Sequence, residues 1–118
     1  SVVNNKKPQV AINASVKDVI VEISSKKLGV TAVMENNKVV GIVTDGDIRR
    51  MLSKYDNISG LTAKDIMTSN PKSVDADTLA INALKLLQEK SISQLLAFDG
   101  ESYAGVVHIH NLINEGIL

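Results

Sequence analysis

The chain states one pattern twice. Residues Gly41 to Arg50 read GIVTDGDIRR, and a second glycine-led apolar run, GVVHIHNL, begins at Gly105, 105 − 41 = 64 residues on. What precedes each glycine also matches: TAVMENNKVV before the first and LLAFDGESYA before the second, each an apolar run, a turn and a short strand. Further upstream, SVKDVIVEISSKK (15–27) parallels TLAINALKLLQEK (78–90), which predicts one residue of slippage after the long helix. A supersecondary unit used twice builds its binding sites between the copies. The positions where the copies differ chemically therefore carry the information about function.

The 118 residues suffice for one compact domain. With 44% apolar but only 3% aromatic residues, Val, Ile, Leu and Ala must build the core. Net charge is zero and the pI near 6.7, which argues against a nucleic-acid partner held through phosphates. Absence of cysteine excludes disulfides and thiolate metal sites. No run approaches a membrane-spanning length and no signal-peptide pattern opens the chain, so a cytoplasmic protein without membrane contact is expected. The polar start SVVNNKKPQV, without Met, reads as that of a domain cut from something longer.

In the first copy, Val10 to Ile12 is extended after Pro8. Ser15 is a fitting N-cap for a helix with Val16, Val19, Ile20 and Ile23 on its apolar face, ended by Gly29. Thr31 to Met34 and Lys38 to Thr44 form a hairpin about the Asn36-Asn37 turn. Asp45 or Asp47 can cap a helix running to about Leu52, with Ile48, Met51 and Leu52 inward. In the second copy, Thr78 caps a helix from Leu79 to Lys90, Asp99-Gly100 turns the hairpin, and Val106-Val107 leads to a helix near Ile109 to Glu115. The linker NISGLTAKDIM holds a short helix from about Thr62, anchored by Ile66 and Met67. The fold class is α+β, with two β-α-β-β-α units over residues 8–56 and 62–118. Hairpin strands that are apolar nearly throughout are expected to be covered on both faces.

The motif in the first copy suits ligand binding. Thr44 ends a strand and Asp47 begins a helix, which gathers a hydroxyl, free backbone amides and a carboxylate. A carboxylate can accept both hydroxyls of a ribose, while the hydroxyl and amides suit a phosphate. Gly46 lets the chain turn and a ligand approach the backbone, and Asp45 borders the same crevice. Arg49 and Arg50 suggest anion recognition, although adjacent residues do not share a helix face, so at most one is expected in the crevice. In the second copy His108 and His110 replace Thr44 and Gly46. They lack a third ligand at supporting spacing, so hydrogen bonding is favoured over metal binding. Asn111 keeps the place of Asp47 without its charge, which predicts a weaker or differently selective second site. No Cys nucleophile, GxSxG elbow, P-loop or dinucleotide fingerprint is present, and no catalytic residue is assigned.

The duplicated β-α-β-β-α unit, with Gly-apolar-apolar-Thr-x-x-Asp where the last strand meets the last helix, resembles a tandem pair of CBS domains, a Bateman module. TDGDIRR, the linker element LTAKDIMT and the ending HIHNLINEGIL are similar to the C-terminal CBS pair of arabinose-5-phosphate isomerases. Asn111, where that family commonly has Asp, departs from it. The resemblance implies a pseudo-two-fold module, no required cofactor, and a regulatory ligand such as AMP, ATP or CMP-Kdo. It also implies an N-terminal sugar-isomerase (SIS) domain as partner in the parent chain. In such a chain the parent enzyme interconverts ribulose 5-phosphate and arabinose 5-phosphate for Kdo and lipopolysaccharide synthesis. Such pairs commonly form flat homodimers through their helices, and Val19, Ile23, Ala83, Leu87 and the terminal INEGIL are the surfaces expected to serve. The alternative function is a non-catalytic oligomerisation module without ligand.

Overall fold

The computed structural model describes residues 3, 4 and 6–114. In chain order the elements are β1 (Val3–Asn4), β2 (Gln9–Ala11), α1 (Val16–Lys26), β3 (Val30–Glu35), β4 (Lys38–Thr44), α2 (Asp45–Lys54), α3 (Ala63–Ile66), β5 (Thr68–Ser69), β6 (Ser73–Asp75), α4 (Ala80–Lys90), β7 (Gln94–Asp99), β8 (Ser102–His108) and α5 (Ile109–Asn114). Two β-α-β-β-α copies are present, β2-α1-β3-β4-α2 and β6-α4-β7-β8-α5. Glu115 and the rest of INEGIL beyond Asn114 lie outside the described residues.

The copies keep one offset throughout. Val16 and Ala80, Val30 and Gln94, Lys38 and Ser102, Asp45 and Ile109 open equivalent elements, always 64 apart (80 − 16). The expected slippage is absent. Ser15 does cap α1, its hydroxyl accepting from the Asp18 amide at 3.1 Å. Its counterpart is Leu79, not Thr78, and α4 has no side-chain cap. The Thr78 amide instead closes a turn onto the Asp75 carbonyl at 3.0 Å.

Helix α1 stops before Gly29. Lys27 is its C-cap in the left-handed region at φ 60°, its amide bonded to the Ile23 carbonyl, and Ser91 at φ 54° does the same for α4. Asn36 and Asn37, at φ 52° and 63°, turn the first hairpin, as expected of residues that tolerate this region. The second hairpin turns on Gly100 and Glu101, one residue later than expected, because β7 runs through Asp99.

Two four-stranded sheets result, ordered β2-β3-β4-β5 and β1-β8-β7-β6. In each, a parallel pair joins an antiparallel hairpin that carries the same register shift, at Val33/Met34 and at Ala97/Phe98. The fourth strand in each is a two-residue piece not expected from the sequence. β5 pairs with β4 (Ile42↔Thr68), and β1 pairs with β8 (Val106↔Asn4). Because β5 precedes the second copy and β1 the first, each sheet is completed by the lead-in of the other copy. The chain accordingly divides into two compact units, residues 8–71 and residues 1–7 with 72–118.

Each unit has its own core. Val16, Val19, Ile23, Val33, Val43, Met51, Ala63 and Ile66 form one; Ala83, Leu84, Leu87, Leu95, Ala97, Val107 and Leu112 form the other. Val30, Thr31, Ala32 and Val33 are buried in succession, so β3 is covered on both faces. Ile66 is buried and Met67 packs against the first core, anchoring the linker helix. Two inward expectations fail, since Ile20 is 36% exposed and Leu52 57% exposed. The stripe expected to pair two chains is likewise not on the surface. Val19, Ile23, Ala83 and Leu87 are all buried, and the outer faces of α1 and α4 carry Val21 and Ile81 instead.

Candidate functional site

The sequence TDGD builds a helix start that closes on itself. Thr44, extended at φ −109° and ψ 169°, is the N-cap of α2, and neither Asp45 nor Asp47 takes that place. The Thr44 hydroxyl accepts from the Asp47 amide at 3.2 Å. Asp47 Oδ2 in return accepts from the Thr44 amide at 2.9 Å and its hydroxyl at 3.2 Å, a reciprocal capping box. Asp47 Oδ1 accepts from Arg50 Nη2 at 2.5 Å and from the Thr68 hydroxyl at 3.0 Å. With about four acceptor positions on a carboxylate, Asp47 is saturated by these donors. It is also only 6% exposed, whereas the Arg50 side chain is 71% exposed.

The neighbouring residues take different positions. Asp45 is exposed and turned toward Gly29: its amide donates to the Gly29 carbonyl at 3.2 Å, and its Oδ2 lies 3.2 Å from where a Gly29 Cβ would be. It does not join the Asp47 cluster. Gly46 has no positive φ, so it is not needed to turn the chain. Its use is room, because a Cβ there would meet the Arg50 guanidinium at 3.3 Å and the Thr44 hydroxyl at 3.5 Å. Arg49 and Arg50 both border one shallow depression of about 360 Å³ with Gly46, Ser53 and Lys54, but of the two only Arg50 bonds to Asp47. On the other side of Arg50 lies a cavity of about 220 Å³ bordered by Asp47, Lys54, Tyr55 and Asp65. Lys54 sits over the Tyr55 ring, 5.3 Å from its centre. Thr68, Lys54 and Tyr55 are site residues the sequence reading missed. The LTAKDIMT segment held the only signal for Thr68.

The second copy keeps the scaffold and changes its chemistry. The His108 amide donates to Asn111 Oδ1 at 3.2 Å, the counterpart of the Thr44–Asp47 bond. The His110 amide donates to His108 Nδ1 at 3.1 Å, so an imidazole serves where the Thr44 hydroxyl does in the first copy. The two rings lie 4.7 Å apart, tilted by 50°. Burial, and then the neighbouring His110, lower the pKa of His108 below its ordinary 6.5, consistent with a neutral acceptor nitrogen. The positions equivalent to Arg49 and Arg50 are Ile113 and Asn114, so both cations are gone. Among the described residues, no group of three or more His, Asp or Glu could hold a metal ion, and no helix is long and apolar enough to cross a membrane.

Comparison with known proteins fits this duplicated architecture. The family model of the CBS domain matches residues 2–54 and again 63–117. Arabinose 5-phosphate isomerase KdsD of Yersinia pestis is 35% identical over 112 residues, 94% of this chain but 34% of that relative, so the chain spans about a third of its length. A crystal structure described as a CBS domain superposes with a TM-score of 0.88 at 23% identity, over 98% of this chain and 91% of the other. The structure of CBSX2 in complex with AMP superposes at 0.78 with 22% identity, covering 98% and 91%. Two family matches, in register with two copies of one β-α-β-β-α unit, place this chain in the CBS family as a tandem domain pair.

Proposed function

We propose that this CBS pair is the regulatory part of a cytoplasmic arabinose-5-phosphate isomerase, binding a nucleotide or nucleotide-sugar at the first-copy strand–helix junction. Occupancy there is passed to the SIS isomerase domain that lies outside this chain. The observation that carries the reading is the asymmetry of the two junctions. Only the first joins a buried carboxylate, Asp47, to an open cationic face of Arg49, Arg50 and Lys54. A ribose hydroxyl suits Asp47, and a phosphate or sugar-acid carboxylate suits the cations. The AMP complex of CBSX2 and the likeness to KdsD support the adenine and the sugar-pathway readings respectively, so AMP, ATP and CMP-Kdo are the ligands to try.

Calorimetric titration with AMP, ATP, CMP and CMP-Kdo tests the proposal. Binding that Arg49→Ala weakens and a His110 substitution leaves unchanged is the expected result. No heat with any of the four at millimolar concentration would remove the sensor reading.

We further propose that the chain forms a homodimer through the outer faces of its long helices. What favours this is the set of exposed apolar side chains there, Val21 on α1 and Leu79 and Ile81 at α4, 56%, 67% and 48% exposed. If that assembly stands and the calorimetry is silent, the oligomerisation module becomes the function.

A further inference from the structure

The saturation of Asp47 bears on how any ligand reaches it, and on what else must then move. This deepens the nucleotide reading of the first junction and rests on it. Oδ2 belongs to the capping box of α2, and giving it up would undo the helix start. A ligand hydroxyl must therefore take a place on Oδ1, now held by Arg50 and Thr68. Expelling Arg50 would strip a nearly buried carboxylate of its counter-charge. Expelling Thr68 exchanges one neutral hydroxyl for another, and Thr68 is exposed, so its hydroxyl can turn to water.

We infer that Thr68 is the group a ligand hydroxyl displaces, and that its contact with Asp47 couples the site to the linker between the two copies. Thr68 is half of β5, a strand of two residues whose hold on the sheet is the pairing Gly41↔Ser69 and Ile42↔Thr68. So short a strand depends on each added anchor, and the Asp47–Thr68 bond spans 21 residues to tie it to α2. Three residues on, Pro71 ends the first unit and at Lys72 the chain re-enters the second. Occupancy of Asp47 thus loosens the segment through which the chain passes from one copy to the other. At the equivalent positions of the second copy stand Asn4, paired at the place of Thr68, and Asn111 in place of Asp47, so the charge on which this contact rests is absent there.

The test compares wild type, Thr68→Val and Thr68→Ser by calorimetry with AMP, ATP, CMP and CMP-Kdo, and by hydrogen exchange at the Thr68 and Ser69 amides. Without ligand, Thr68→Val and Asp47→Asn should each speed that exchange about tenfold, and the double variant no more than either alone, with Thr68→Ser near wild type. With a bound probe, exchange in wild type should rise to the Thr68→Val level, and Thr68→Val should bind the probe several-fold more tightly because the competing hydroxyl is gone. Binding with unchanged affinity in Thr68→Val and unchanged exchange overturns the coupling and leaves the nucleotide reading standing. Additive exchange effects in the ligand-free double variant also overturn it. Absence of heat with all four probes in all three proteins removes the underlying site reading, and the coupling with it.

Discussion

The carboxylate of Asp47 is almost shut off from water yet serves three residues, so truncating it costs more than a surface cap. Arg50 is mostly exposed and re-solvates when its partner goes, so the ion pair itself contributes less than about 1 kcal/mol. The larger loss is the Thr44 amide left without an acceptor, on top of the cap. Asp47→Ala should therefore lower the unfolding free energy by about 2 kcal/mol in urea titration. Asp47→Asn should cost about half as much, because Asn111 shows that an amide oxygen can close the same bond. A second residue-scale prediction concerns His108. Its Nδ1 must be unprotonated to accept from the His110 amide, and burial lowers its pKa in the folded state. A base with a lowered folded pKa contributes stability that is complete above its unfolded value of 6.5 and is lost as pH falls from there toward the folded value. The melting temperature should fall on acidification below the unfolded value of 6.5, and His108→Asn, a good cap that does not titrate, should flatten the curve. At this scale the residue types and spacing made Thr44 and Asp47 legible. They did not reveal that Asp47 is saturated, because one of its donors, Thr68, comes from 21 residues away.

Among the elements, the clearest in sequence were those specified by their own residues. The strand Lys38 to Thr44 and the Asn36-Asn37 turn are local matters of β-branching and tolerance of positive φ. Strands β1 and β5 were not legible, because two residues have no periodicity and pair only where a partner edge is offered. The helix faces were ambiguous for a geometric reason. Neighbours such as Val19 and Ile20, or Met51 and Leu52, lie only 100° apart around a helix, so periodicity cannot say which of the two enters the core. Gly41 supplies a test at this scale. A Cβ there would lie 2.7 Å from Met67 Sδ and 2.8 Å from the Thr68 carbonyl oxygen, and the second of these is backbone that cannot swing aside. Gly41→Ala should push β5 off the sheet, cost about 1–3 kcal/mol by overpacking, and raise amide exchange at residues 67–69 without disturbing β3.

For the molecule as a whole, the duplication made the α+β class and its paired architecture legible, while the exchange of lead-in strands stayed hidden. That exchange makes a deletion informative. Removing residues 1–7 leaves the first β-α-β-β-α unit intact in sequence, yet it takes β1 from the second sheet and bares the edge of β8. Calorimetry should show the second unit melting several degrees earlier and the first hardly changed. The homodimer proposal belongs here too. Light scattering should give twice the 12.7 kDa of one chain, from an interface of about 1,200 Å² or more, and Val21→Glu with Ile81→Glu should return it to one copy. A persistent 12.7 kDa species in the unsubstituted chain would exclude the assembly.

The pairing of β1 with β8 also sets an order in time. Val3 meets Val107 across 107 − 3 = 104 residues of chain, whereas β5 follows the strand it joins by fewer than 30. On a ribosome, residues 8–71 can complete their sheet while residues 72–118 are still unmade, but β1, made before them, waits for β8, which follows all the other strands described here. A permuted chain opened between Pro71 and Lys72, with its old ends joined through a flexible linker, would make both units continuous and remove that wait. It should refold faster than the natural order, with the same two sheets at the end.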